Sequence, residues 1–133
     1  MYHILSLNGG GFRGYFTIGV LEQLETLHSG SSLWRSTDLY TGTSIGGILS
    51  LGLAAELTPQ QLRQSFINFR HHIFGHPRNQ YLRTKYRQGG LREAIVQILG
   101  KEIAERPIGS LKKPVMVTAV NLDTAKSVLI SSI

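Results

Sequence analysis

Ser44 stands between two glycines in the pentapeptide Gly42-Thr43-Ser44-Ile45-Gly46. This spacing is that of a nucleophile elbow, a sharp turn that joins a strand to a helix and exposes the serine hydroxyl. Gly42 and Gly46 leave room for the backbone to approach closely. The N–H groups at the helix start, that of Ile45 among them, favour developing negative charge. The pattern therefore predicts a nucleophilic serine, although the pentapeptide also fits a simple tight turn.

A second motif, Gly9-Gly10-Gly11-Phe12-Arg13-Gly14, lies between an apolar stretch and a helical pattern. Consecutive glycines leave their backbone N–H groups unobstructed, which suits them to bind an oxyanion. Each preorganised donor of this kind stabilises a transition state by ~3–4 kcal/mol. We therefore expect Gly10 and Gly11 to supply the donors of an oxyanion hole. Arg13 would hold the loop in shape or bind a phosphate.

The same loop also satisfies the dinucleotide-binding fingerprint, through Gly9, Gly11 and Gly14. Such a site needs an acidic residue at the carboxyl end of the second strand to hold the ribose. Here the nearest acid, Asp38, lies at the start of that strand, and the fingerprint leaves the elbow around Ser44 unexplained. A nucleotide- or dinucleotide-binding module therefore stays as the alternative function.

Hydrophobic periodicity places each motif between a strand and a helix. Short apolar strands alternating with amphipathic helices are typical of an α/β fold, here three-layered with a mostly parallel central sheet. We predict strands at 2–7, 38–41, 115–120 and 127–133, helices at 12–28, 44–56, 58–73 and 91–103, and a long loop or mobile segment over 71–90. The spacing in the first helix predicts a buried apolar face made of Phe16, Val20, Leu24 and Leu27.

Length and composition indicate a single folded unit, because 133 residues are enough for one compact domain. The absence of cysteine excludes disulfides, thiolate metal sites and a cysteine nucleophile. The N-terminus has neither the basic region nor the long apolar run of a signal peptide, so we expect a cytoplasmic location. The chain ends on an apolar, strand-like run, and we therefore expect a truncated piece of a longer protein.

The formal net charge is +6, and much of it falls between residues 63 and 92. The basic stretch 71–92 is either a solvated surface or a contact for an anionic partner, and phospholipid headgroups suggest peripheral membrane contact. His71, His72 and His76 lie in the same stretch, but no acid lies nearby in sequence. We therefore predict a solvated helix end there and no metal site.

Taken together, in this order and at this close spacing, the two motifs resemble those of the patatin-like phospholipase family. The segment Leu5–Gly14 is similar to that family's oxyanion segment, and Asp38–Gly47 is similar to its nucleophile segment. The resemblance implies a lipid acyl hydrolase acting on a lipid or phospholipid, with no metal or organic cofactor and no nucleic-acid partner. Residues 1–133 would be the N-terminal portion of a patatin-like phospholipase domain. A non-catalytic, truncated patatin-like fragment is a further alternative.

One part of the family's pattern has no counterpart in the sequence. The family uses a serine–aspartate dyad whose aspartate lies in an Asp-Gly-Gly or Asp-Gly-Ala motif, and no Asp-Gly occurs in this chain. Asp38 begins the strand that delivers Ser44, which puts it roughly 20 Å away at ~3.3 Å per residue. Asp123 is most simply a turn residue. We therefore expect the dyad aspartate downstream of this chain.

Overall fold

The computed structural model describes residues 1–27, 34–73 and 88–133, with the side chains of 69–73 and 88–91 left out of the description. The strands are β1 (Ile4–Leu7), β2 (Leu39–Thr43), β3 (Val115–Asn121) and β4 (Lys126–Ser131). The helices are α1 (Arg13–Leu27), α2 (Ile45–Ala54), α3 (Pro59–Ile73), α4 (Gln88–Leu99) and α5 (Lys101–Ala104), followed by a 3₁₀ turn at Ile108–Ser110.

The strands form one sheet in the order β1-β2-β3-β4. β1, β2 and β3 are parallel, whereas β4 runs antiparallel to β3. Leu7, Gly42 and Val117 lie opposite one another in register. The carboxyl ends of the parallel strands therefore meet at one edge of the sheet, called the carboxyl edge below, and both glycine motifs begin there. The predicted α/β fold with a mostly parallel sheet is confirmed.

A single hydrophobic cluster joins the helices to one face of this sheet. Leu7, Tyr40 and Val115 enter the cluster from the strands, and burying a side chain of this size stabilises the fold by roughly 1.5–3 kcal/mol. On the opposite face Ile4 is 59% exposed and Val120 is 61% exposed. The described residues thus form the sheet and one layer of helices. They include no second layer on the opposite face. The helical members of the cluster include Ile18, Leu21, Ile45, Leu49, Leu53, Leu62, Phe66, Ile98 and Leu99.

The start of α3 is stabilised by a reciprocal pair of hydrogen bonds. The backbone N–H of Gln61 donates to Thr58 Oγ1 at 3.2 Å, and the N–H of Thr58 donates to Gln61 Oε1 at 2.8 Å. This is a capping box, in which two N–H groups that the helix cannot satisfy find side-chain acceptors. The start of the helix predicted at 58–73 is therefore confirmed.

The first helix buries a different face from the predicted one. Phe16, Val20 and Leu27 are 75%, 40% and 74% exposed, and Leu24 is only partly buried. The helix is apolar around much of its circumference, so helical spacing is compatible with more than one buried face. Close packing decides between them, because a Cβ on Gly14 would lie 2.7 Å from Ile45 Cγ1. The buried residues of α1 are Gly14, Ile18 and Leu21.

Other predicted boundaries also need correction. The strand predicted as buried at 2–7 is the edge strand β1, whose first residue is largely exposed. The helix predicted at 91–103 ends at Leu99, because Gly100 adopts φ 83 and starts a separate short helix. In the loop predicted at 71–90, residues 71–73 belong to α3 and 88–90 to α4. Residues 74–87 of that loop lie outside the described residues.

Candidate active site

Ser44 forms the turn between β2 and α2 at the carboxyl edge. Its backbone has φ 57 and ψ −127, a conformation that costs roughly 1–3 kcal/mol for a residue with a side chain. Its carbonyl oxygen accepts hydrogen bonds from the N–H groups of Gly47 and Ile48, at 2.9 and 3.2 Å, which holds the turn against the start of α2. The residue is exposed. The turn therefore presents the serine side chain to the outside of the sheet.

The two glycines that flank Ser44 permit contacts that no other residue could make. A Cβ on Gly42 would overlap the backbone of Gly46, so β2 and α2 touch directly at this point. A Cβ on Gly46 would overlap the carbonyl oxygen of Leu7 at the end of β1. The elbow is thus wedged between its own helix and the neighbouring strand, which explains how the strained turn is maintained.

The glycine loop lies directly beside the elbow. A Cβ on Gly9 would lie 3.1 Å from Ser44 Cβ and 3.0 Å from the carbonyl oxygen of Thr43. Gly10 and Gly11 have φ 150 and φ 56, backbone conformations that favour glycine. Two motifs separated by 27 residues of sequence therefore meet around one serine side chain.

The loop is fixed at its far end by the start of α1. The N–H of Arg13 donates to the carbonyl of Gly10 at 3.2 Å, and that of Gly14 donates to Gly11 at 3.0 Å. The alkyl stem of Arg13 packs on Gly10, with Cδ 3.1 Å from where a Cβ would stand. These contacts agree with one of the two roles expected for Arg13, that of holding the glycine loop in shape. Within the part of the chain that the structure describes, no acceptor is recorded for the N–H groups of Gly10, Gly11 or Ile45.

Aromatic packing provides a second anchor for the loop. The ring of Phe12 stacks on Tyr15 at 5.9 Å and meets Phe66 of α3 at 5.9 Å. Phe66 is fully buried, whereas Phe12 is 52% exposed. Phe12 therefore packs against the core on one side and is exposed to solvent on the other, next to the glycine loop.

A hydroxyl pair next to Ser44 was missed by the sequence analysis. Thr118 of β3 lies opposite Thr43 in register, and its Oγ1 donates to Thr43 Oγ1 at 3.1 Å. The bond links the residue before the nucleophile candidate to the neighbouring strand. No sequence motif marks Thr118, and only the register of β2 against β3 would have revealed it.

Two aspartates, Asp38 and Asp123, were considered as the base for Ser44. Among the described residues, neither side chain makes a hydrogen bond to Ser44. Asp38 lies at the opposite edge, where its Oδ2 accepts the N–H of His3 at 2.8 Å. Asp123 lies in the β3–β4 turn, and its N–H donates to Asn121 Oδ1 at 2.9 Å, as expected of a turn residue. The prediction that the base lies outside this chain stays a prediction.

The predictions for the basic stretch also remain untested. The side chains of His71, His72 and His76, and nearly all of those in 71–92, lie outside the described residues. Among the described residues, no group of three or more histidine, aspartate or glutamate side chains lies close enough together to hold a metal ion. None of the described helices is long and apolar enough to cross a bilayer.

The opposite edge of the sheet, called the amino edge below, holds a pocket of about 350 Å³. Trp34 and Tyr40 are buried in its wall, and the Tyr40 hydroxyl donates to the carbonyl of Trp34. Burial raises the pKa of Tyr40 to about 12. The hydrogen bond from Lys112 holds the pKa of Glu56 below its usual value. The remaining lining residues are Arg35, Leu53 and Lys113.

Comparison with known proteins identifies a family. The family model described as patatin-like phospholipase matches residues 5–130, a range that includes both glycine motifs and β2, β3 and most of β1 and β4. The match therefore covers nearly all of the chain.

Three bacterial relatives, each named cGAMP-activated phospholipase, match over most of the chain. The Pseudomonas aeruginosa protein is 40% identical over 94% of this chain and 38% of its own length. The Escherichia coli protein is 38% identical over 92% of this chain and 37% of its own. The Vibrio cholerae protein is 39% identical over 92% of this chain and 39% of its own. The chain thus spans less than two fifths of these relatives. Activation by a cyclic dinucleotide, which their names state, was not anticipated from the sequence.

Proposed function

This chain belongs to the patatin-like phospholipase family, and we propose that it carries the nucleophile and the oxyanion hole of a lipid acyl hydrolase. The close approach of Gly9 to Ser44 supports this most directly. A Cβ built on Gly9 would lie only 3.1 Å from the Cβ of Ser44. A glycine loop and a strained serine in contact are two of the parts that acyl transfer needs, the third being a base.

In the proposed reaction Ser44 Oγ attacks the carbonyl carbon of a lipid ester, and its proton passes to a carboxylate base. The N–H groups of Gly10 and Gly11, with that of Ile45, hold the oxyanion of the tetrahedral intermediate. Collapse expels the alcohol, which takes the proton back, and leaves an acyl-serine ester. Water then attacks this ester and releases the fatty acid, with the same carboxylate accepting and returning a proton.

The base in this proposal is an aspartate outside the 133 residues. Two observations support that choice. No Asp-Gly occurs in the chain, and the relatives extend over more than twice its length. The Asp38 carboxylate accepts the N–H of His3 at the opposite edge, and Asp123 lies in the β3–β4 turn, where its backbone N–H donates to Asn121 Oδ1.

A cyclic dinucleotide is the proposed activator of this protein. The support is the name cGAMP-activated phospholipase, carried by relatives 38–40% identical to this chain. The alternative function, in which Gly9, Gly11 and Gly14 bind a dinucleotide, has less support. Gly14 packs against Ile45, and Gly9 packs against Ser44, so the loop is already in contact with the elbow.

Labelling with a fluorophosphonate tests the nucleophile. In the full-length protein, which would supply the base, we expect an adduct on Ser44, located by mass spectrometry, and its loss in Ser44→Ala together with a fall in ester turnover of ~10³-fold or more. Ser110→Ala is the matched control, because Ser110 is also exposed but lies in the 3₁₀ turn before β3. It should retain both labelling and turnover.

Other results would contradict the assignment. Undiminished labelling or turnover in Ser44→Ala would remove Ser44 as nucleophile. A folded protein without any adduct would argue against a reactive serine in this chain. Measurable nucleotide affinity with no serine reactivity would favour the dinucleotide-binding alternative.

A further inference from the structure

The pocket at the amino edge is formed by parts of the chain that are distant in sequence. Its volume of about 350 Å³ lies within the range of small-molecule sites, roughly 300–1,000 Å³. The lining comes from the segment before β2, from β2, from the end of α2 and from the segment before β3: Trp34, Arg35, Tyr40, Leu53, Glu56 and Lys113. The pocket is therefore large enough for a small ligand, and its shape depends on the tertiary fold.

Positive charge predominates around this pocket. The hydrogen bond that Lys112 Nζ donates to the Glu56 carboxylate lowers the pKa of that group. The charges of Arg35 and Lys113 lower the same pKa further, so both lie within electrostatic reach of the carboxylate. Three cations thus surround one acid of the lining. Such a group of cations attracts an anionic ligand.

Two of these cations are held in place by contacts with the pocket wall. The Arg35 guanidinium lies over the ring of Trp34, 4.9 Å from its centre, and Lys113 Nζ donates to the carbonyl of Arg35 at 3.1 Å. Trp34 is itself fixed, because its indole N–H donates to Glu25 at 2.9 Å. With Glu25 counted, the cations still outnumber the acids. Side chains that are already ordered lose less entropy when a ligand binds.

Glu56 is strained where it meets the pocket. Its φ is 67, a left-handed conformation that favours glycine. The N–H of Glu56 donates to the carbonyl of Leu53 at 2.9 Å, and the N–H of Leu57 donates to that of Gly52 at 2.9 Å. This is a Schellman motif, in which the left-handed residue is usually glycine. A strained residue with a charged side chain in a pocket is a feature of functional sites.

Two elements connect this pocket to the elbow. β2 runs from Leu39 to Thr43, next to Ser44, and contributes Tyr40 to the lining. α2 starts at Ile45, spans ten residues, roughly 15 Å, and contributes its far end. An occupant of the pocket would therefore contact both elements that Ser44 joins, without reaching the serine. That position suits a regulatory ligand rather than a substrate.

We propose that the pocket at the amino edge binds the cyclic dinucleotide, with its phosphodiester groups on Arg35, Lys112 and Lys113. The inference rests on the proposed function, because the cyclic dinucleotide is itself only the proposed activator. A ligand of this class carries two phosphodiesters, each with one negative charge, which fit a pocket where cations outnumber acids. Guanidinium and ammonium groups bind phosphate oxygens through charge-assisted hydrogen bonds. The site is separate from the glycine loop.

Calorimetric titration of the full-length protein with cGAMP tests this site without any turnover. Arg35→Gln and Lys113→Gln should each weaken binding by roughly tenfold or more, since each removes a charge-assisted hydrogen bond to phosphate. Lys101→Gln is the matched control, because Lys101 is an exposed lysine of α5 that does not line the pocket. It should bind cGAMP as the parent does. Circular dichroism checks that each variant is folded.

Glu56→Gln should have the opposite effect on cGAMP binding. The substitution removes negative charge from the lining and keeps the shape of the side chain, so binding should become severalfold tighter. The exposed ion pair of Glu56 with Lys112 contributes little to stability, and the variant should therefore fold as the parent does. A change of sign between this variant and the two cation variants is expected only if charge in the pocket recognises the ligand.

Lysine acetylation maps the same site in the unaltered protein. The full-length protein is treated with a limiting amount of acetic anhydride, and the extent of reaction at each lysine is measured by mass spectrometry. cGAMP should protect Lys112 and Lys113 and leave Lys101 unchanged. Inorganic phosphate at the same concentration should protect none of the three. Equal protection by phosphate would mean that the pocket attracts any anion and is not a nucleotide site.

Several outcomes would overturn the proposal. Unchanged cGAMP binding in Arg35→Gln and Lys113→Gln, or an equal loss in Lys101→Gln, would place the nucleotide elsewhere and leave the activator intact. Weaker binding in Glu56→Gln would contradict recognition by charge. No binding by the parent would remove the cyclic dinucleotide as activator as well. Fluorophosphonate labelling of Ser44 reports on the hydrolase assignment independently of all these results.

Discussion

The two edges of the sheet are built on different physical principles. At the carboxyl edge, glycines with positive φ and a strained serine meet through backbone contacts. At the amino edge, Trp34 and Tyr40 are buried, and side chains pair with one another. The Trp34 indole donates to Glu25 at 2.9 Å, and Lys113 Nζ donates to the carbonyl of Arg35 at 3.1 Å.

The strained Ser44 lies at the edge of the sheet where a ligand could bind. Ligands of open α/β sheets bind outside the carboxyl ends of the strands, and strained residues persist there because surrounding structure holds them. The amino edge supplies ordinary stabilising contacts of buried aromatic rings and hydrogen bonds. Substitutions at the two edges should therefore have different consequences.

The largest expected effect on stability comes from Gly46→Ala at the carboxyl edge. Its Cβ would overlap the carbonyl oxygen of Leu7, and backbone cannot move aside as a flexible side chain can. We expect a loss of ~3 kcal/mol or more in the free energy of unfolding, measured by urea denaturation.

Gly19→Ala is the matched control for that substitution. Gly19 lies inside α1, and nothing comes within 4 Å of its Cβ position. Alanine should therefore raise stability by about 0.5–1 kcal/mol, through helix propensity. Equal effects of the two substitutions would mean that the tight contact of Gly46 with β1 is not required.

At the amino edge, Tyr40→Phe should have an intermediate effect. It removes the hydroxyl that donates to the carbonyl of Trp34, and an unsatisfied buried acceptor costs ~1–3 kcal/mol. Fluorophosphonate labelling of Ser44 should persist, because the change lies at the other edge. Loss of labelling in a folded Tyr40→Phe protein would mean that the two edges are coupled.

The same residue should make stability fall at high pH. Burial raises the pKa of Tyr40 from 10.0 to about 12, so the folded state keeps this proton after the unfolded state has lost it. The contribution is complete below pH 10 and is lost as pH rises toward 12. Urea denaturation at a series of pH values should show this decline in the parent, and Tyr40→Phe should show less of it.

The smallest effect is expected from the ion pair of Lys112 with Glu56. The pair is exposed, and such pairs contribute little. Its hydrogen bond lowers the pKa of Glu56, so any stabilisation is present above pH 4.5 and is lost as the carboxylate is protonated below it. Lys112→Ala should differ slightly from the parent at neutral pH and not at low pH. Lys101→Ala is the control, because no ion pair of Lys101 is recorded in the described ranges. A pH-independent difference would exclude the Glu56 pair as its cause.

Local sequence determined much of this molecule. The capping box at Thr58 and the turn at Asn121–Lys126 follow from neighbouring residues, because helix starts and turns are satisfied by hydrogen bonds within a few positions. The glycine spacing around Ser44 likewise predicts a tight turn between strand and helix, and the family match extends over both motifs.

Other features were decided only by tertiary structure. The buried face of α1 depends on the contact of Gly14 with Ile45, and the pairing of Thr118 with Thr43 depends on strand register. The approach of Gly9 to Ser44 needs β1 and β2 side by side. Each of these contacts joins residues distant in sequence. Periodicity measures only a residue's relation to its own neighbours, so it predicts which elements form but leaves open which of their faces meet.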